Sequence, residues 1–508
     1  MRTIINTKKG ENSMKKNFKF FVLVLVLAIF VSSFSFLSET SYAESKNAKK
    51  AKYVFLFIGD GMGAAQVNAA QIYTGNKDKV EIKPLEFYKF PTVGLVNTED
   101  STSFCPDSAS TATAISSGTK THSGVIGKTS DLQKNVTTVA EKMKAQGKKI
   151  GIISTVTLNH ATPAAFYANV TSRKQYYEIG KQMAASGFDY FAGGSLEHRT
   201  GDDKNKKEKD LYDILRANGY TVTETKKDFE KINKNTGKVF AVTERIQDSG
   251  SMPYTLDQKK GDMTLRDTVR KAIEVLDNDK GFFIMAEAGK VDWACHANDA
   301  FSSIHEVLAL DDAVQEAIEF YKKHPDETLI LVTADHETGG LSLGYQGTGY
   351  DTHFEIFDKQ KLSYVEFDKK FEELKKNNKN LKFEDALKLV KESFGLIVKD
   401  KNTKKEDELF VLNDYELGKL KAAFAESMKE KDKRTKSIET NLLYGGYDPF
   451  SATLTHIIDN KAGIGWSTFA HTAVPVPIYA LGATAELYEG TYHDSEIYSK
   501  LMESLGAK

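Results

Sequence analysis

The sequence predicts an α/β fold: a mostly parallel central sheet flanked by helices on both faces. Three observations predict it. Short apolar runs alternate with amphipathic helical stretches, the pattern of strands joined by crossover helices. Three of those runs end on or beside an acidic residue, Asp60, Glu287 and Asp335. In open α/β sheets, ligands collect at the carboxyl ends of the strands. The 508 residues, 40% of them apolar, suffice for a large core in one domain or two.

The elements follow in order. Residues 53–58, Tyr-Val-Phe-Leu-Phe-Ile, read as a buried strand closed by Gly59-Asp60-Gly61. Gly61 and Gly63 let the backbone turn tightly there. Ser108 opens an Ala/Ser/Thr-rich run, 109–117, suited to a helix of small side chains. Helical spacing over 139–146 precedes a strand over 150–154. A helix over about 265–276 leads to a strand over 282–286, which ends at Glu287. A helix around 304–321 leads to a strand over 329–333, which ends at Asp335-His336. Residues 345–460 are rich in Lys, Glu, Asp and Asn, with amphipathic stretches at 383–394 and 415–428. They read as a cap-like insertion, too charged to build a core of their own. A strand over 477–480 and a helix near 495–505 return to the main body.

Composition narrows the function classes. The formal net charge is −1, so no global field favours nucleic acid or an acidic membrane. With 36 glycines and 9 prolines, long disordered linkers are not expected. Lys15, Lys16 and Lys19 precede the apolar run 20–31, and Ser41-Tyr42-Ala43 offers a small-x-small cleavage site. That order is a secretory signal peptide over residues 1–43, leaving residues 44–508 as the exported chain; an uncleaved membrane anchor is the alternative. Met14 is an alternative start, which would leave residues 1–13 untranslated. The two cysteines, Cys105 and Cys295, could form one disulfide; the plainer expectation is two small buried thiols in the site wall.

The chemistry lies in scattered oxygen and imidazole donors: Asp60, Glu287, Asp292, His296, Asp335, His336 and His471. Divalent cations take such ligands, and a hydroxyl such as that of Ser108 needs a cation to ionise near neutral pH. Asp292 and His296, four apart, share one helix face as two ligands of one ion should. A serine at a helix N-terminus faces unpaired backbone N–H groups and suits a phosphate; the plainer alternative is an ordinary N-cap.

Five motifs carry a resemblance: Phe57-Ile58-Gly59-Asp60-Gly61-Met62-Gly63, Asp107-Ser108-Ala109, His160-Ala161-Thr162-Pro163-Ala164, the run from Thr333 to Gly340, and Ala470-His471-Thr472. The chain resembles the metal-dependent, serine-nucleophile alkaline phosphatases of bacteria over nearly all of residues 52–345 and 463–485. The resemblance implies a phosphate monoesterase that uses two zinc ions and one magnesium. Ser108 would become phosphoserine. Asp292, His296 and His471 would hold one zinc, and Asp60, Asp335 and His336 the other. Asp60, Thr162 and Glu287 would serve magnesium. Arg173 would grip two phosphate oxygens, a bidentate task that suits arginine. Three such ions carry about +6 and four ligand carboxylates return about −4, leaving positive charge for a phosphate dianion.

His160 stands where some relatives carry an aspartate near magnesium, and Trp293 where some carry a lysine near phosphate. A weaker or differently hydrated third site is therefore expected. Small phosphate monoesters are the implied substrates and a homodimer the implied assembly, by analogy. A phosphodiesterase of the same fold is the alternative, which Arg173 argues against. A non-catalytic metal- or phosphate-binding surface protein is a second, which the intact nucleophile and ligand set argue against.

Overall fold

Tyr53–Gly59 forms strand β1, and each of its residues is buried. A strand covered on both faces reads as a continuous apolar run, as this one does. It lies inside a ten-stranded sheet in a computed structural model that describes residues 50–203 and 206–507. The proposed signal peptide lies outside the described residues. The other strands are β2 (Thr92–Asn97), β3 (Lys149–Ser154), β4 (Tyr190–Gly193), β5 (Tyr220–Thr223), β6 (Lys238–Val242), β7 (Phe282–Ala288), β8 (Thr328–Thr333), β9 (Val476–Gly482) and β10 (Gly490–His493). Their order is β10-β2-β9-β8-β1-β7-β3-β4-β6-β5. Only β9 runs against its neighbours, pairing antiparallel with both β2 and β8. The predicted α/β sheet is thus present, mostly parallel with one reversed strand.

Helices α1 (Ser108–Ser117), α2 (Val139–Ala145), α3 (Leu265–Leu276), α4 (Lys290–His296) and α5 (Ala300–Tyr321) follow the expected periodicities. In α3, Thr264 and Asp267 form a capping box, so the helix start is satisfied locally. Its stripe of Leu265, Val269, Ala272, Val275 and Leu276 is buried. Each larger side chain of such a stripe stabilises the fold by about 2 kcal/mol. Glu287, expected just beyond a strand, lies inside β7, which runs to Ala288.

Residues 345–460 build no separate core, yet they are more apolar inside than their charge suggests. They contain helices α6 (Tyr364–Asn377), α7 (Phe383–Phe394), α8 (Asp414–Ser427) and α9 (Pro449–Ala462). Phe371, Phe424 and Phe450 pack with ring centroids 4.8–6.0 Å apart, and Phe367, Phe383 and Phe394 join them. The segment therefore contributes an apolar layer to the core. The lysines and glutamates lie on the outer helix faces, and the aromatics recur at helical spacing beneath them. This core is continuous with that of the sheet. A C-terminal helix, α10 (Ser495–Ser504), packs on α1.

Both cysteines are free thiols. Cys295 is buried, but Cys105 is exposed, because the loop before α1 turns it to solvent. The expectation of two wall thiols fits Cys295 alone.

Candidate active site

Strands β8, β1, β7 and β3 are neighbours, and their carboxyl ends form one face. In register, Ile58 stands opposite both Glu287 and Thr333, and Ser154 stands opposite Glu287. Asp60, Glu287 and Asp335 are thereby brought together, all fully buried. Gly61 makes this possible. Its φ is +71°, and an added Cβ would lie 2.7 Å from Thr338 Oγ1 and 3.1 Å from Asp292 Cα. Its N–H donates to Asp335 Oδ1 at 3.3 Å.

Ser108 is the first residue of α1, while the N-cap is Asp107, whose carboxylate accepts from the Ser110 N–H at 3.1 Å. The Ser108 hydroxyl is thus free of capping duty. It lies 3.2 Å from His336 Nε2.

Three imidazoles point the same nitrogen inward. His296 Nδ1 lies 2.6 Å from the Phe469 carbonyl, and His471 Nδ1 lies 2.5 Å from the Pro106 carbonyl. A carbonyl only accepts, so both Nδ1 atoms carry the proton and both Nε2 atoms keep a lone pair. The Thr338 hydroxyl donates to Asp292 Oδ1 at 2.6 Å and so can only accept from His336 Nδ1, 3.2 Å away. His336 is therefore the same tautomer. The two lone pairs of His296 and His471 sit 3.0 Å apart, with Asp292 Oδ1 3.3 and 3.6 Å away. His336 Nε2 lies 3.4 Å from Asp60 Oδ1 and 3.5 Å from Asp335 Oδ2. Lone pairs and anions facing one another without an intervening proton call for a cation.

Three donor groups are each tight enough to hold one ion, with ligand atoms within 4.8 Å of one another: Asp292, His336 and His471; Asp60, Asp335 and His336; Asp60, His160 and Glu287. Asp60 Oδ1, Glu287 Oε1 and His160 Nδ1 are buried without any hydrogen-bond partner. Thr162 Oγ1 donates to Asp60 Oδ2 at 3.4 Å, and Ser154 Oγ donates to Glu287 Oε2 at 2.5 Å.

The electrostatics show the same deficit of positive charge. Burial, then the Asp335, Asp292 and Glu287 carboxylates, pushes Asp60 far above the usual carboxylate range. Burial pushes Glu287 up to about 8 and Asp335 up to about 7. Burial also works against the Asp292 anion; positive charge at His296, His471 and His336 would outweigh it and hold that carboxyl low, and the Thr338 hydroxyl bond acts in the same direction. Burial, then His471, keeps His336 neutral.

Arg173 lies beside this cluster. Its Nη1 donates to Asp107 Oδ2 at 2.8 Å, and its Nη2 lies 3.1 Å from His160 Nε2. Burial, then Arg173, pushes His160 down to about 3, so the imidazole is neutral and accepts from the guanidinium. Trp293 stacks edge-on against His160 at 5.9 Å. All twelve residues singled out in the sequence thus fall in one neighbourhood. Sequence reasoning gave no role to Asp107, Thr338 or Ser154. Asp107, three before Ser110, carried an N-cap signal; Thr338 and Ser154 carried none.

A family model described as alkaline phosphatase matches residues 51–507. Alkaline phosphatase 4 of Bacillus subtilis is 28% identical over 484 residues, covering 94% of this chain and 93% of its own. The crystal structure of a cold-active alkaline phosphatase from the psychrophile Shewanella sp. aligns with a TM-score of 0.72 at 27% identity, covering 89% of this chain and 99% of that one. A variant of alkaline phosphatase TAB5, with Mg bound in its M3 site, gives 0.61 at 26% identity over 91% and 100%. The matched range spans the whole sheet and the whole site, and the chain belongs to the alkaline phosphatase family.

Proposed function

We propose that this enzyme hydrolyses phosphate monoesters to orthophosphate through a phosphoserine at Ser108, with two zinc ions and one magnesium. The observation that carries the reading is the Ser108 hydroxyl, free of capping duty, facing the Nε2 lone pair of His336, with Arg173 held by the neighbouring Asp107. The donor set fits the ions. Asp292, His296 and His471 would hold one zinc; Asp60, Asp335 and His336 would hold the other. Asp60, Thr162 and Glu287 would serve magnesium, with His160 beside them; the TAB5 variant that binds Mg in its M3 site carries aspartate in place of a histidine, which supports a third site that a carboxylate strengthens. Bound, the ions would lower the pKa of the serine hydroxyl and offset the phosphate charge.

The chain's own groups do the rest. The N-terminus of α1 presents backbone N–H groups to the phosphate. Arg173, held by Asp107 and His160, offers its fork to two phosphate oxygens. Ser108 Oγ bonds to phosphorus as the ester oxygen leaves and takes up a proton. Water then displaces Oγ, releasing orthophosphate and returning a proton to the serine.

Ser108→Ala should lower kcat by several orders of magnitude while the melting temperature stays unchanged. Wild-type turnover in that variant, or burst labelling of another residue, would sink the assignment.

The same reading includes export with cleavage near Ala43, a homodimer, no nucleic-acid specificity, and a capping role for residues 345–460. Among the described residues, no helix is long and apolar enough to cross a membrane. N-terminal sequencing of exported protein and light scattering test cleavage and assembly; an intact leader or a monomer would remove those parts.

A further inference from the structure

The Asp107–Arg173 pair rests on a second carboxylate, Asp100, in the loop between β2 and α1. Asp100 is only 9% exposed and engages five donors. Its Oδ1 accepts from the Thr102 N–H, the Ser103 N–H and the Thr102 hydroxyl at 2.6, 2.7 and 2.9 Å. Its Oδ2 accepts from the Ser110 and Ser123 hydroxyls at 2.7 and 2.5 Å. Burial alone would raise its pKa. The bonds from Ser123, Ser110 and Thr102 outweigh burial and hold the carboxyl below its ordinary value.

Both hydroxyls lead to Arg173. Ser110 spends its one hydroxyl proton on Asp100, while its backbone N–H donates to Asp107 Oδ1 at 3.1 Å, so one residue links the two carboxylates. Ser123 precedes Gly124, whose N–H donates to Asp107 Oδ1 at 2.8 Å. The carbonyl of the same Gly124 accepts from the backbone N–H of Arg173 at 2.7 Å. One route thus fixes the carboxylate that holds the guanidinium, and the other fixes the backbone from which the arginine springs. Asp107 and His160 hold the two terminal nitrogens of the guanidinium, and Asp100 acts one step behind them, on the loop that carries Asp107 and on the backbone of Arg173. None of these groups belongs to the donor sets described above.

We infer that Asp100 is a positioning residue for the phosphate clamp, fixing Arg173 through Ser110–Asp107 and through Ser123–Gly124. The inference rests on the proposed reading of Arg173 as the group that grips the phosphate. A monoester presents one more charged oxygen than a diester. Misplacing Arg173 should therefore penalise monoesters selectively, whereas loosening the nucleophile's helix would penalise both.

The test compares p-nitrophenyl phosphate with bis(p-nitrophenyl) phosphate on the zinc- and magnesium-loaded enzyme, and adds inhibition by inorganic phosphate. Wild type, Asp100→Asn, Arg173→Ala and the double variant are measured. Asp100→Asn should lower monoester kcat/KM and weaken phosphate inhibition about tenfold, with diester turnover changed less than about twofold. In the Arg173→Ala background it should add no selective loss. Equal losses on both esters, or a selective loss that persists without Arg173, would overturn the inference. If Arg173→Ala itself fails to distinguish the two esters, the clamp reading falls first and the inference with it. Should Asp100→Asn not fold, Ser123→Ala cuts one route and should show the same selectivity at about threefold; an unselective loss there counts against the proposal.

Discussion

The carboxyl end of the sheet and the insertion at residues 345–460 bury polar and apolar groups in opposite ways. At the sheet end, three neighbouring strands drive carboxylates into a shared buried space, and Asp60 Oδ1 and Glu287 Oε1 have no partner. In the insertion, most charge stays on the outer helix faces, with Asp368 and Asp459 as buried exceptions, and rings of Phe367, Phe371, Phe424 and Phe450 close on one another. The sheet end gives up stability to keep a cation site open, and the insertion supplies packing. Damage at the sheet end should therefore appear in activity, and damage in the insertion in stability.

Chelation should produce the largest effect. Removing divalent cations should reduce turnover to background while far-UV circular dichroism persists, because the central strands are apolar and need no ion. Zinc plus magnesium should restore activity better than either alone. Full activity after exhaustive chelation would falsify the site.

Phe371→Ala should do the reverse. The cavity it opens should cost about 3–5 kcal/mol of stability, seen as a lower melting temperature. kcat for small monoesters should survive, since none of the proposed site residues lies in α6. If the insertion caps the site, KM should rise for bulky monoesters and not for small ones; equal KM changes would leave it a surface decoration.

The smallest effect concerns pH. Burial, then the Asp448 carboxylate, raises Asp368 in α6 to about 7. An unfolded aspartate titrates near about 3.9, so the folded chain keeps a proton that the unfolded chain releases. The associated stability is full below about pH 4 and is lost as pH rises through about 7. Asp368→Asn lacks that loss, so its advantage in melting temperature should be larger at pH 8 than at pH 5, by about 2 °C. An equal shift at both values would show that Asp368 titrates normally.

Much of this contrast was legible in the chain. The strand over 53–58 and the helix over 265–276 were visible because continuous apolar runs and amphipathic spacing are local properties. The convergence of Asp60, Glu287 and Asp335 followed from strand ends sharing one side of a parallel sheet. The partners of those groups were not legible. Thr338 reaches Asp292 across 46 residues, and Ser154 reaches Glu287 across 133. The aromatic core of the insertion was obscured because its high charge content dominates a composition window, although Phe367 and Phe371 lie four apart. The exposure of Cys105 depends on a loop whose path no periodicity encodes.

The reversed strand β9 sets an order of events during synthesis. It lies between β2 and β8, so β2 and β10 join the rest of the sheet only through it. Just before it, His471 and Thr472 pair with Thr338 and Glu337, delivering the last imidazole to the cluster. A chain growing from its N-terminus holds Ser108 and all four clustered carboxylates while more than a third of its length is still unmade. Until residues 471–482 arrive, those groups belong to an unfinished sheet missing one imidazole. Stalled or truncated chains would carry the nucleophile without a complete cradle. Competence for phosphate chemistry thus marks a finished chain, because the fold keeps the closing piece for last.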